Sequence, residues 1–152
     1  MSTIALVWNF MRDLRDNPRV KIEISLKRVA HDGHGRPYAV GLELEVEGAS
    51  EQVFVHFNIV NVGRRKVTLT GMGGDYYKGK KHFVIPTPYM LRLPLTLEEG
   101  QEAFEINPNL DLLGDNTKSL FFWNTTGKYW RVSWWNLRKV RKEAKNYTVK
   151  AS

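Results

Sequence analysis

Residues 20–27 read VKIEISLK, a strict alternation of apolar and polar side chains. Because successive side chains of a strand point to opposite faces, this pattern predicts a β-strand with one buried and one solvated face. A second alternating run follows at residues 42–47, after a stretch rich in turn formers at residues 31–37. Residues 52–62, QVFVHFNIVNV, are more continuously apolar and predict a central strand.

Short strand patterns continue along the rest of the chain. A glycine-rich bend is expected at residues 71–74, and turn formers separate the other segments. The further strands are predicted at residues 67–69, 76–77, 82–85, 91–97, 101–106, 119–123 and 129–135. Many short strands without helices between them are typical of an all-β antiparallel sandwich or barrel.

The N-terminal segment predicts an amphipathic helix over residues 2–15. Ser2 or Thr3 is available as its N-cap, and Asn17-Pro18 ends it because proline disfavours helical geometry in the residue before it. Apolar residues recur at the helical spacings of three and four, namely Ile4, Val7, Met11 and Leu14.

These patterns divide the chain into three parts. Residues 1–17 form the amphipathic helix, residues 18–143 form the β-sandwich, and residues 144–152 form a basic C-terminal tail. The segment at residues 137–145 is interpreted either as a basic helical turn or as disordered.

The composition favours one domain in a reducing compartment. The chain has 152 residues, of which 42% are hydrophobic, and it contains no cysteine, so disulfides and Cys-ligated zinc are excluded. The apolar run at residues 4–8 is far short of the ~20 residues that span a bilayer. We therefore expect no membrane span and a cytoplasmic location, with a virion as the alternative.

Positive charge is concentrated at the C-terminal end. The net charge of the chain is +7, and residues 128–152 supply the whole excess because eight cations there accompany a single acid, Glu143. Such an asymmetry favours an acidic partner, whether nucleic acid, a membrane surface or an acidic protein face. The alternative is a solvated tail.

No group of side chains predicts catalysis or a cofactor. His31, Asp32 and His34 share one turn, but their alternating directions make simultaneous metal binding awkward. The glycines at 71–74 lack the strand and helix that a phosphate-binding loop needs. Three glutamates are expected to project together from a solvated strand face: Glu43, Glu45 and Glu47. We expect no enzyme, no catalytic residue, no metal site and no cofactor.

Residues 121–141 interleave aromatic and basic side chains, a combination that can stack bases and neutralise phosphates. Core packing is the competing interpretation, with Trp130, Val132 and Trp134 pointing inward and Trp123 or Trp135 left for partners. The residues predicted to bind an acidic partner or nucleic acid are Trp135, Arg138, Lys139, Arg141 and Lys142.

Three motifs occur in a characteristic order: NVGRRKVTL at residues 61–69, LPLTLEEGQ at residues 93–101 and TGKYWR at residues 126–131. In this respect the chain resembles small uncharacterised bacterial immunoglobulin-like proteins, over roughly residues 18–143. The resemblance implies an immunoglobulin-like antiparallel β-sandwich, here with a short N-terminal helix. It implies no activity, because those proteins are similar to adhesion and scaffold modules.

The preferred hypothesis is a non-enzymatic protein-binding or scaffolding module that works within a homo-oligomer or a larger assembly such as a phage particle. The apolar face of the N-terminal helix would otherwise be an exposed patch on a small domain. A nucleic-acid-binding module using the basic aromatic segment is the alternative, and interfacial membrane attachment through the helix is a third possibility. The predicted partner-binding residues of the helix face are Ile4, Val7, Trp8 and Met11.

Overall fold

A computed structural model of the protein describes residues 2–148, with the side chains of residues 13–16 and 148 excepted. Within that range the chain is mostly β, with a helix at each end and two short 3-10 turns, at Lys78–Lys80 and Leu110–Leu113. The elements in chain order are α1 (Thr3–Asp16), β1 (Val20–His31), β2 (Pro37–Gly41), β3 (Phe54–Asn61), β4 (Val67–Tyr76), β5 (His82–Val84), β6 (Leu95–Leu97), β7 (Glu102–Asn107), β8 (Thr117–Asn124), β9 (Tyr129–Arg131) and α2 (Trp134–Thr148).

The strands form two antiparallel sheets. The first has the order β2-β1-β3-β7, and the second has the order β5-β4-β8-β9 with β6 also paired to β4. The predicted central strand is confirmed, because β3 lies between β1 and β7. This architecture is consistent with a β-sandwich.

The larger of two hydrophobic clusters contains residues of both sheets, and the smaller one consists of Val29, Phe54 and Ile106. The alternation predicted for β1 places Ile22, Ile24 and Leu26 in the larger cluster, each at most 4% exposed. Opposite them, Phe57 of β3 meets Phe122 of β8 edge to face, with ring centroids 6.1 Å apart. Edge-to-face aromatic pairs stabilise beyond the area that they bury.

The N-terminal helix is confirmed. Its N-cap is Ser2, whose hydroxyl accepts a hydrogen bond from the backbone N–H of Ala5 at 3.3 Å. The helix ends at Asp16, before Asn17-Pro18, as the restriction that proline places on its predecessor requires.

The strand predicted at residues 42–47 is wrong. The partner of β1 is β2, which ends at Gly41 opposite Lys27. There the backbone N–H of Leu44 donates to the carbonyl of Gly41 at 3.1 Å and closes a turn, so the chain leaves the sheet. The three glutamates of this segment consequently lie on an exposed loop and not on a strand face.

The bend predicted at residues 71–74 is also wrong, because β4 runs through these glycines. Each glycine makes room for a neighbour. A Cβ on Gly71 would overlap the indole of Trp123, and one on Gly73 would overlap the backbone carbonyl of Phe83. Close approach of neighbouring groups, and not turning, is the use made of glycine here.

The C-terminal region differs most from expectation. The strand predicted at residues 129–135 ends at Arg131, and α2 begins at Trp134 with the Ser133 hydroxyl accepting from the N–H of Asn136 at 3.2 Å. Trp134, predicted to point inward, is 49% exposed. The boundary placed between residues 143 and 144 falls inside α2, whose residue Ala144 is buried in the core. Residues 149–152 of the predicted tail lie outside the described residues.

Candidate functional site

The four predicted partner-binding residues of α1 lie on one side of the helix and are exposed. They follow the spacing i, i+3, i+4, i+7, which places side chains on a common stripe. Phe10 lies beside Val7 at the edge of this stripe, Leu6 lies on the opposite side of the helix, and both are exposed as well. None of the six belongs to the core of the sandwich. The exposed fractions of the stripe are 81% for Ile4, 56% for Val7, 67% for Trp8 and 51% for Met11.

The basic residues predicted to bind an acidic partner lie on α2. Leu137 and Val140 turn inward and are at most 2% exposed, so the opposite side of the helix faces solvent. Arg138 lies over the ring of Trp134, with its guanidinium carbon 5.2 Å from the ring centroid. The predicted residues that the structure brings together on the solvent side are Trp135, Arg138, Lys139 and Lys142.

Arg141 does not join them. Its Nε donates to the carbonyl of Leu113 at 3.3 Å, and its Nη2 donates to the carbonyl of Thr117. The guanidinium therefore ties α2 to the start of β8.

A groove of about 920 Å³ runs along β1 from Val20 to Lys27. β2 pairs only with residues 27–31 of β1, so the edge of β1 before Lys27 has no partner strand among the described residues. The first turn of α2 crosses this edge, where the Asn136 amide pairs with the backbone of Ile24. We call this space the β1 groove; besides β1, its walls come from β3, β9 and α2.

The β1 groove is basic. Lys21, Lys27, Arg131 and Lys139 line it, and Glu23 is its single acid, which gives a net charge of +3. Lys21 and Glu23 form a salt bridge of 3.0 Å.

His56 of β3 lies in the same wall and stacks on Phe104 with centroids 5.8 Å apart. Burial, assisted by the charge of Lys27, holds the pKa of His56 below its usual value. The His56 ring therefore adds no full positive charge to the groove at neutral pH.

An aromatic cluster covers the outer face of the second sheet. Phe121, Trp123 and Tyr129 contact one another with centroids 5.0 to 5.9 Å apart. The Arg131 guanidinium lies 5.5 Å from the centroid of Phe121 and 6.0 Å from that of Tyr129. The cation of Arg131 is thus held between this cluster and the β1 groove by cation–π contacts.

Asp75 organises a small polar group on the same sheet. It accepts hydrogen bonds from Ser119, at 3.1 Å, and from His82. Burial alone would raise the pKa of Asp75, but these hydrogen bonds and the charges of His82 and Arg131 bring it below its usual value. Ser119 and His82 both bond to Asp75, so the hydroxyl is not placed against the imidazole as nucleophilic catalysis would need.

The turn at residues 31–37 has a structural explanation. The Asp32 carboxylate accepts the backbone N–H groups of His34, at 2.8 Å, and Arg36, at 2.9 Å. Within residues 2–148, no three histidine or acidic side chains converge as metal ligands would.

Sequence reasoning missed the groove residues Lys21, Lys27, His56 and Arg131. A partial signal exists, since both lysines stand on the polar face of the predicted first strand. No local pattern, however, shows that this face lies beside residues 131–139.

No protein-family model, no curated protein and no solved structure matches the chain. Neither helix of the described chain has the length and apolar character needed to cross a membrane.

Proposed function

We propose that this chain is a non-enzymatic protein-binding or scaffolding module that docks through α1. The observation that carries the proposal is the stripe of Ile4, Val7, Trp8 and Met11, more than half exposed on a domain that already has a closed core. Complete burial of one such side chain stabilises by about 1.5–3 kcal/mol. A partner that covers all four side chains would therefore be bound with several such contributions to the binding free energy.

The proposed mode is a helix laid into the groove of a partner. Residues at i, i+3, i+4 and i+7 are the usual anchors of that mode, and the stripe has this spacing. α1 has 14 residues, and a helix of this length is only marginally stable alone in water. Binding and helix stability are therefore coupled. The assembly joined is a homo-oligomer or a larger particle such as a phage particle, in the cytoplasm or in a virion.

We also propose that the sandwich is immunoglobulin-like. If β1, β3 and β7 are strands A, B and E, and β4, β5, β8 and β9 are strands C, C′, F and G, the sheet orders A-B-E and C′-C-F-G agree with that fold. β2 and β6 are then additions at the sheet margins. An immunoglobulin-like frame fits a binding role because it serves mainly as a rigid support for exposed surfaces.

The test measures mass by light scattering for the full chain, for Trp8→Asp and for Asn9→Asp. Asn9 is an exposed polar residue of the same helix, so its substitution adds the same charge away from the stripe. We expect the full chain and Asn9→Asp to form a larger assembly than Trp8→Asp does, or to capture a partner that Trp8→Asp does not capture. Equal behaviour of all three proteins would refute docking through α1.

A second candidate function is nucleic-acid binding. It is favoured by the solvent-facing side of α2, where Trp135 is 70% exposed beside Arg138, Lys139 and Lys142. Exposed aromatic rings flanked by cations are the elements of single-strand binding. Fluorescence anisotropy with an oligothymidylate should show binding that weakens steeply with salt and is lost in Trp135→Ala. Binding unaffected by salt, or absent, would exclude this function.

A further inference from the structure

We propose that the β1 groove binds the acidic loop of a second copy of this chain, formed by residues 42–51, so that two copies exchange loops reciprocally. This interface is separate from α1 and goes beyond the docking proposed above.

Besides Lys21, which is paired with Glu23, the groove presents three cations. Lys27, Arg131 and Lys139 line it, and none forms a salt bridge within the described residues. Arg131 is held in place over aromatic rings, and its charge also acts on the carboxylate of Asp75. A ligand for this groove is expected to carry several negative charges.

The acidic loop supplies such charges. Residues 42–51 read LELEVEGASE, with four glutamates and no lysine or arginine. All four carboxylates are exposed and lack a salt bridge in the described chain. Glutamate alternates with apolar residues from 42 to 47, so in an extended conformation Glu43, Glu45 and Glu47 share one face, spaced by about 7 Å.

The loop cannot fill the groove of its own chain. Gly41 is paired with Lys27, and the Ser50 N–H donates to the carbonyl of Val29, so both ends of the loop are held at one end of the groove. The other end, at Lys21, lies six residues along β1, which is about 20 Å. The eight residues between these anchors, 42–49, must run along the groove and come back, so the loop extends at most about 14 Å from its ends. A second copy has no such constraint.

The positions of loop and groove permit mutual exchange. Glu43 and Leu44 line a neighbouring cavity together with Lys27 and Lys139, so the donor loop lies beside the acceptor groove on each molecule. Two copies related by a two-fold axis at this position would present complementary surfaces to each other twice, as in an isologous dimer. The apolar Leu44, 61% exposed in the single chain, would lose solvent on docking.

The experiment uses sedimentation equilibrium of full-length proteins that all carry Trp8→Asp, so that association through α1 is absent. The parent Trp8→Asp protein should form a reversible dimer whose Kd rises at least ~10-fold between low and high salt, because exposed charge pairs are screened. Lys27→Glu/Lys139→Glu and Glu45→Lys/Glu47→Lys should each raise the Kd at least ~10-fold through like-charge repulsion. Lys66→Glu/Lys78→Glu, which alters exposed lysines outside the groove, should leave the dimer intact.

Mixing provides the decisive comparison. One double variant keeps an intact groove and the other keeps an intact loop, so an equimolar mixture should recover a heterodimer that neither protein forms alone. A monomeric parent, a dimer insensitive to the paired reversals, or a mixture that stays monomeric would overturn the proposal. Loss of oligothymidylate binding in the groove variant, with no dimer in the parent, would assign the groove to nucleic acid. Docking through α1 is tested independently of these variants: it is refuted if Trp8→Asp and the unaltered chain have the same mass and the same partners.

Discussion

The side-chain amide of Asn136 satisfies both backbone polar groups of Ile24. The N–H of Ile24 donates to Oδ1 at 2.7 Å, and Nδ2 donates to the carbonyl of Ile24 at 3.0 Å. One residue of α2 thus takes the place of a neighbouring strand at the uncovered edge of β1. Because unpaired edges invite pairing with other chains, this contact also protects the edge.

Asn136→Ala should destabilise the fold by about 1–3 kcal/mol, since the backbone groups of Ile24 lose their partners beside the core. Chemical denaturation in urea measures the change. Asn146→Ala is the matched control, because Asn146 is an exposed residue of the same helix and is expected to change stability by less than ~0.5 kcal/mol. Equal effects of the two substitutions would show that the amide contact contributes nothing.

The buried carboxyl of Glu105 should be essential to the loop before β6. It is fully buried and accepts the backbone N–H groups of Tyr89, at 2.8 Å, Met90, at 2.6 Å, and Ile106, at 3.0 Å. Glu105→Ala should cost about 1–3 kcal/mol for the buried N–H of Ile106, and more in total because the part-buried N–H groups of Tyr89 and Met90 also lose their acceptor. Glu102→Ala, at the exposed start of the same strand, serves as the control in the same urea titrations.

Glu105 also gives a pH signature. Burial raises the pKa of its carboxyl, although backbone hydrogen bonds from Met90 and Tyr89 oppose the shift. The folded chain then holds this proton more tightly than the unfolded chain, so stability is lost as pH rises through the raised pKa. The free energy of unfolding of wild type minus that of Glu105→Gln should be largest in acid and should fall as pH rises. If this difference rose with pH instead, the folded state would prefer the carboxylate.

Gly71→Ala should disturb the second sheet, because the added methyl overlaps the indole of Trp123. Overpacking of this kind typically costs about 1–3 kcal/mol. Displacement of the indole should also shift the tryptophan emission of the folded protein. Gly33→Ala is the control, since nothing lies within 4 Å of its added methyl. An unchanged melting temperature and spectrum in Gly71→Ala would contradict the packing described.

Gly71 also shows which part of the fold could not be predicted from the sequence. Strand alternation identified β1 and β3 because their partners cover one face only, and the burial of Ile22, Ile24 and Leu26 follows from it. Glycine, by contrast, serves both turns and close approach, and residues 71–74 do not reveal that Trp123 lies above Gly71. Such a distinction depends on a strand more than 40 residues away.

Two other differences have physical causes of this kind. The run at residues 42–47 has a good strand pattern, but the Gly41 turn and the Ser50 contact remove it from the edge of β1. For α2 a signal was present in the chain, since Leu137, Val140 and Ala144 have helical spacing after Ser133. The aromatic residues around them favoured a strand. The β1 groove could not be predicted, because β1, β9 and α2 meet only in the folded chain.

His56 should make the fold sensitive to acid. Burial and the charge of Lys27 lower the pKa of His56 from 6.5, so the unfolded chain takes up a proton more readily than the folded chain. The contribution of His56 to stability is therefore complete above pH 6.5 and is lost as pH falls through the lowered pKa.

Urea denaturation between pH 5 and 8 should show this loss in wild type and not in His56→Gln. His34→Gln, which alters an exposed turn, should behave like wild type. Glu105 makes stability change with pH in the opposite direction in both proteins. The effect of His56 is therefore read from the difference in unfolding free energy between wild type and His56→Gln. If that difference did not change with pH, the pKa of His56 would have to be the same in the folded and the unfolded chain. Burial and the charge of Lys27 would then have no effect on the imidazole.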